Sequence, residues 1–125
     1  MTLTHLGYGL SWVICLGIIV VGARFLLAPR PSAAGFGVDV GPEAGRAGAY
    51  LAVKAVRDIG SGLVAFVLIV AASRQALGLF MLAAAIIPIG DALIVLRYHG
   101  PKVLAYAMHG GTAAVMLVIA ALLLR

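Results

Sequence analysis

Residues 76–96 read ALGLFMLAAAIIPIGDALIVL, a run in which Asp91 is the only charged side chain. A helix needs about 20 mostly apolar residues to cross a hydrocarbon core about 30 Å thick. Three further stretches, at 6–27, 47–72 and 103–124, have comparable length and apolar content. The sequence therefore predicts four transmembrane helices in a single transmembrane domain covering residues 1–125.

The composition of the chain favours a membrane protein. Hydrophobic residues make up 64% of the 125 residues and charged residues only 10%, and the mean hydropathy is +1.17. A soluble domain carries roughly 25% charged residues, so a cytosolic globule and a disordered segment are excluded. Cys15 is the single cysteine, which excludes a disulfide within the chain and chemistry based on a cysteine pair.

The connections between the apolar runs indicate how the helices are arranged. The joints at 73–75 and 98–102 are short, and short joints make consecutive helices antiparallel neighbours. The longer connection at 28–46 is rich in proline and glycine, and Pro42 with Glu43 near its end suits a helix start. We therefore expect an all-α fold, a polytopic membrane protein built as an antiparallel bundle of four transmembrane helices.

The distribution of basic residues predicts the orientation of the bundle. The chain has nine Lys and Arg against four Asp and Glu, a formal net charge of +5. In membrane proteins this excess belongs in cytoplasmic loops and near anionic lipid heads, so we expect membrane lipid and no nucleic acid as partner. Most basic residues lie in or near the 28–46 and 98–102 connections. We therefore place these loops in the cytoplasm and both termini outside, in the cell (inner) membrane.

Ionisable residues of all four predicted helices fall near one predicted face of the membrane. A charged side chain at the centre of a span costs roughly 2.5–3.5 kcal/mol, so we expect these residues to lie shallow, to pair, or to face a wet cavity. They form a single polar layer that consists of Arg24, Lys54, Arg57, Asp58, Asp91 and His109.

Two interpretations of this polar layer stay open at the level of the sequence. Lys54, Asp58 and Ser61 follow at i, i+4 and i+7 on one helix face, as the wall of a ligand site would require. Alternatively, pairs such as Lys54 with Asp58 and Arg57 with Asp91 are salt bridges that only fix the helices. A metal site is not expected, because no carboxylate and histidine stand at i, i+3 or i+4. No nucleotide or dinucleotide motif is present, so no cofactor is expected either.

Several short motifs coincide with the polar layer and carry a resemblance to a known family. They are Arg24-Phe25-Leu26-Leu27-Ala28-Pro29, Ala34-Gly35-Phe36-Gly37, Lys54-Ala55-Val56-Arg57-Asp58-Ile59-Gly60, Pro88-Ile89-Gly90-Asp91 and His109-Gly110. In combination they resemble a family of small four-helix integral membrane proteins known only as a domain of unknown function. The resemblance implies the fold and the choice of residues, and it implies no activity.

The charges of the layer suggest a ligand and a chemistry. Three cations against two carboxylates, with neutral histidine, favour a lipophilic small molecule that carries an anionic or oxygen-rich group. We expect acid–base chemistry of the isomerase, cyclase or hydrolase type, with Asp91 as the general acid or base. The predicted catalytic residues are Asp91, His109 and Asp58, and the predicted ligand-binding residues are Arg24, Lys54 and Arg57.

Two other function classes compete with a membrane enzyme. One is a non-catalytic lipid-binding or accessory subunit, in which the polar layer holds a lipid headgroup or a partner helix. The other is a small proton-coupled transporter, which would work as a homodimer. Against the transporter, the 6–27 run contains no acidic residue, so a proton relay across the whole membrane is missing.

Overall fold

The computed structural model describes residues 1–41 and 45–125. Within these ranges all regular structure is helical, which confirms the all-α class. The predicted helix start at Pro42 and Glu43 lies outside the described residues. In chain order the helices are α1 (Leu3–Leu27), α2 (Pro29–Phe36), α3 (Ala47–Ala71), α4 (Arg74–Ala84), α5 (Ile86–Arg97), a π-helical segment (Leu104–Gly110) and α6 (Gly111–Leu124).

Three helical stretches are long and apolar enough to cross a membrane: Leu3–Leu27, Arg74–Arg97, which comprises α4 and α5, and Leu104–Leu124. This agrees with an integral membrane protein. The α3 helix has the same length as α1, but Lys54, Arg57 and Asp58 in its first half keep it from qualifying by composition.

Helices α1 and α3 form the most extensive contact of the fold. Their backbones approach closely at Gly22, where a Cβ atom would stand 2.8 Å from the carbonyl oxygen of Ala55. The buried Cys15 thiol donates a hydrogen bond across the same interface to the carbonyl oxygen of Gly62, at 3.2 Å. Small residues at helix crossings allow this approach in membrane proteins, where dispersion replaces the hydrophobic effect between helices.

The other main contact joins α4 to α6 and brings in the N-terminal half of α1. We call the cluster of Leu77, Met81, Ile119 and Leu123 the packed end, because all four side chains are essentially inaccessible. Glycine lets the helices come together here as well, since a Cβ atom at Gly78 would lie 2.9 Å from Leu124.

Two of the predicted helices depart from regular α-helix geometry. The 76–96 run breaks at Ala85, between α4 and α5, because Pro88 cannot donate a backbone hydrogen bond and its ring displaces the preceding turn. The 103–124 run begins as the π-helical segment, which contains His109. The structure adds one helix that the sequence analysis did not predict, α2, which starts with Pro29 and ends at Gly37 in a left-handed conformation (φ 103°).

Candidate functional site

A cavity of about 460 Å³ lies between the helices, at the opposite end from the packed end. Every helix contributes to its wall, including the short α2 and the π-helical segment. Most of the lining is apolar. The polar lining residues are Arg24, Ser32, Lys54, Asp58, Ser61, Asp91, His109 and Thr112. The structure therefore brings five of the six predicted site residues to one cavity.

The Lys54 ammonium is held on three sides by the protein itself. It donates to the Asp58 carboxylate at 2.5 Å, one helical turn away on α3. It also lies over two aromatic rings, 4.6 Å from the centroid of Phe25 and 4.6 Å from the centroid of Phe36. A desolvated cation gains from such ring faces, so Lys54 links α3 to the end of α1 and to α2.

His109 connects the π-helical segment to α2. Its Nε2 atom lies 2.8 Å from the carbonyl oxygen of Phe36, and its ring meets the Phe36 ring edge-on at 4.3 Å between centroids. Because a carbonyl oxygen only accepts, Nε2 must carry the proton. In neutral His109 the Nδ1 atom is then a free acceptor, and it faces the Asp91 carboxylate at 3.9 Å. The two groups form a facing acid–base pair on different helices.

Helix irregularities make room for this pair. His109 belongs to the π-helical segment, and π-helical turns occur frequently at functional sites because they redirect side chains. Asp91 follows Pro88, which is buried in the cavity wall next to the break at Ala85. Helices α3 and α5 both line the cavity without packing extensively against each other. Asp91 and His109 therefore lie on two neighbouring segments, α5 and the π-helical segment, that both line the cavity.

Hydroxyl groups of the lining differ in their hydrogen bonding. Thr112 donates to the carbonyl oxygen of Met108 at 2.7 Å. The Ser32 hydroxyl is buried and makes no hydrogen bond within the described structure. An unsatisfied buried hydroxyl costs about 1–3 kcal/mol, so Ser32 is suited to a partner that is not part of the chain.

The two predicted arginine ligands lie in different places. Arg24 lines the cavity, but its side chain is largely exposed, and it makes no hydrogen bond or ion pair within the described residues. Arg57 is exposed on another face of α3, beside a shallow groove formed with Ala52, Val53 and Val56. It does not line the cavity, and its proposed pairing with Asp91 is not formed. A ligand role for Arg57 stays a prediction.

Sequence analysis missed three contributors to the cavity: Ser32, Phe25 and Phe36. The two phenylalanines stand inside the quoted motifs, but nothing in the sequence indicated that their rings enclose Lys54. The signal for α2 was present, because Pro29 suits a first helical position and Gly37 suits a C-terminal cap. Among the described residues, no group of three or more His, Cys, Asp or Glu side chains is placed to hold a metal ion.

Comparison with known proteins gives a family and nothing further. Residues 15–123 match the family described as a domain of unknown function, DUF4267. The match covers most of the chain, so the protein belongs to this family, and the resemblance found in its motifs is confirmed. No curated protein and no solved structure matches significantly.

Proposed function

We propose that α3 is a fourth membrane-crossing segment and that the chain forms an antiparallel four-helix bundle in the cell membrane. The support is its length of 25 residues and its close contact with α1. The pairing of Lys54 with Asp58 lowers the cost of both charges, and the exposed Arg57 can extend to the headgroups. The basic residues near the cavity favour the cytoplasmic side for this end, with both termini outside.

This topology is tested by labelling introduced cysteines with a membrane-impermeant maleimide in intact cells, in a Cys15→Ser background. Asp39→Cys lies in the 28–46 connection and should stay unlabelled until the membrane is permeabilised. Arg125→Cys should be labelled at once. Labelling of Asp39→Cys in intact cells would contradict the proposed orientation and indicate the opposite one.

We further propose that the cavity binds a lipophilic small molecule that carries an oxygen-bearing head, and that the protein acts on it by acid–base chemistry. The observation that carries this proposal is a largely apolar cavity whose lining includes the facing Asp91 and His109 pair. Pockets that bind small molecules combine such apolar walls with a few convergent polar groups.

The geometry supports distinct roles for the two members of the pair. Asp91 is the base that takes a proton from the ligand. His109 Nδ1, which faces the Asp91 carboxylate, can accept this proton from Asp91 and give it back. Phe36 fixes the orientation of the imidazole through Nε2. An isomerisation fits best, because a proton leaves one position and returns at another without any oxidant or net proton change.

The first test is native mass spectrometry of the gently extracted protein, combined with analysis of co-purifying small molecules. Asp91→Asn should abolish turnover of the identified molecule and leave folding intact, since general acid–base catalysis contributes about 10²–10⁴-fold. Asp39→Asn is the matched control, because Asp39 is exposed outside the cavity. An active Asp91→Asn variant would exclude Asp91 as the base.

A non-catalytic lipid-binding subunit is the second candidate. The favouring observation is that Lys54 and Asp58 already satisfy each other, so much of the polar layer is engaged in holding α1, α2 and α3 together. In this case the co-purifying molecule would be recovered chemically unchanged after prolonged incubation with the protein. Asp91→Asn would then alter binding only.

A further inference from the structure

We infer that the ligand of the cavity is electrically neutral and that its hydroxyl or carbonyl oxygen is bound by Ser32. This inference rests on the proposed binding function and narrows its ligand class. The sequence alone favoured an anion, because it counted Arg57 and Lys54 as available cations. In the structure Arg57 lies outside the cavity, and Lys54, which lines the cavity, is already paired with Asp58.

Lys54 is poorly placed to receive an anionic head. Its charge is compensated by Asp58, whose residue is only 8% exposed, and two phenylalanine rings cover the ammonium. A ligand carboxylate at Lys54 would stand beside the Asp58 carboxylate, because both would bind the same ammonium. Two carboxylates that share one cation repel each other, which is unfavourable.

The remaining charges of the cavity also disfavour an anion. With His109 neutral, Arg24 and Lys54 are balanced by Asp58 and Asp91, so the lining has no net charge. The Asp91 carboxylate, which faces His109, would repel a ligand carboxylate. Arg24 is exposed at the edge, where water or lipid heads can solvate it.

The Ser32 hydroxyl favours a ligand with an uncharged hydroxyl or carbonyl oxygen. A serine hydroxyl donates one hydrogen bond and can accept up to two, so it matches a ligand hydroxyl or carbonyl. Its oxygen is the one buried side-chain polar atom without a partner among the described residues. The neighbouring Thr112 hydroxyl, by contrast, is engaged with Met108. The oxygen of the ligand would thus lie against α2, with its apolar body along α1 and α5.

The test uses two aliphatic diazirine photoprobes of equal medium chain length, one ending in a hydroxyl and the other in a carboxylate. Each is crosslinked to the intact protein in detergent, and labelling is mapped by peptide mass spectrometry. We expect the alcohol to label cavity peptides at least about fivefold more than the carboxylate. Loss of one hydrogen bond in Ser32→Ala should lower alcohol labelling about fivefold to tenfold.

Two control variants keep the result interpretable. Ser32→Thr retains a hydroxyl and should preserve labelling if the fold tolerates the methyl group. Ser11→Ala removes another buried serine hydroxyl, which is bonded to Gly7 within α1, and should leave labelling unchanged. Circular dichroism of each variant reports whether it is folded.

The outcomes separate this inference from the proposed function. Stronger labelling by the carboxylate would overturn the neutral ligand while leaving the binding cavity in place. Equal labelling of folded Ser32→Ala and the parent protein would overturn the role of Ser32. Absence of specific cavity labelling by both probes would contradict the proposed binding function itself.

Discussion

The packed end and the cavity end of the protein use helix contacts in opposite ways. At the packed end, leucine, methionine and isoleucine side chains are buried where α1, α4 and α6 meet. At the cavity end, α5 follows the break near Pro88, a π-helical segment precedes α6, and polar side chains are part of the cavity lining. The larger apolar core therefore lies at one end of the molecule, and the candidate polar site lies at the other.

Truncation at the packed end should have the largest effect on stability. Leu77→Ala removes a fully buried side chain and leaves a cavity, which should lower the free energy of unfolding by about 2–5 kcal/mol. Leu79→Ala is the control on the same helix, because Leu79 is half exposed and should lose far less. Unfolding by sodium dodecyl sulfate in mixed micelles, followed by circular dichroism, measures both. Equal losses of unfolding free energy in the two variants would show that burial at the packed end does not contribute more to stability than the exposed surface of the same helix.

Substitution at the α1–α3 contact should have the next largest effect. Gly22→Ala places a methyl group 2.8 Å from the carbonyl oxygen of Ala55 and 3.0 Å from the backbone nitrogen of Ile59. Backbone cannot move aside as a side chain can, so we expect a loss of about 1–3 kcal/mol in the same unfolding assay. Gly17→Ala, with open space at its Cβ position, is the matched control and should be neutral.

A smaller loss of stability should follow from breaking the ion pair between Lys54 and Asp58 in the cavity wall. Lys54→Met leaves the Asp58 carboxylate without its partner, which should destabilise the protein by about 1–2 kcal/mol, because Lys54 is partly exposed. The double variant Lys54→Met, Asp58→Leu removes both charges and should recover most of this loss. A double-mutant cycle from the unfolding free energies measures the coupling. Additive losses would mean that the pair is not energetically linked.

Much of the fold could be predicted from the sequence because it depends on local signals. Long apolar runs predicted the helices, and the i, i+4 spacing of Lys54 and Asp58 predicted that they share a face. Position along a helix also predicted that Asp91 and His109 reach a common depth. These properties need only the helical period and rise.

The rest of the site depends on rotation and on contacts between distant segments. Arg57 lies three residues after Lys54, and small differences in helix rotation decide whether it enters the cavity or faces outward. The rings of Phe25 and Phe36 enclose Lys54 only because α2 folds back against α1 and α3. The bond from His109 to the Phe36 carbonyl joins residues 73 positions apart in the chain. No periodicity in a single sequence encodes such a contact.

The smallest effect, on photoprobe labelling of the cavity, is expected for Arg57→Ala. This variant tests whether the net charge of the site or the position of each cation determines binding. If net charge alone determined binding, Arg57→Ala and Lys54→Ala would equally weaken labelling of the cavity by the carboxylate probe, because each removes one cation. Because Arg57 is exposed outside the cavity, we expect its removal to change labelling by either probe less than about twofold, within the range of a surface substitution. Lys54→Ala should reduce labelling, since it releases Phe25 and Phe36 and opens the cavity wall. A strong effect of Arg57→Ala would mean that α3 rotates when the ligand binds.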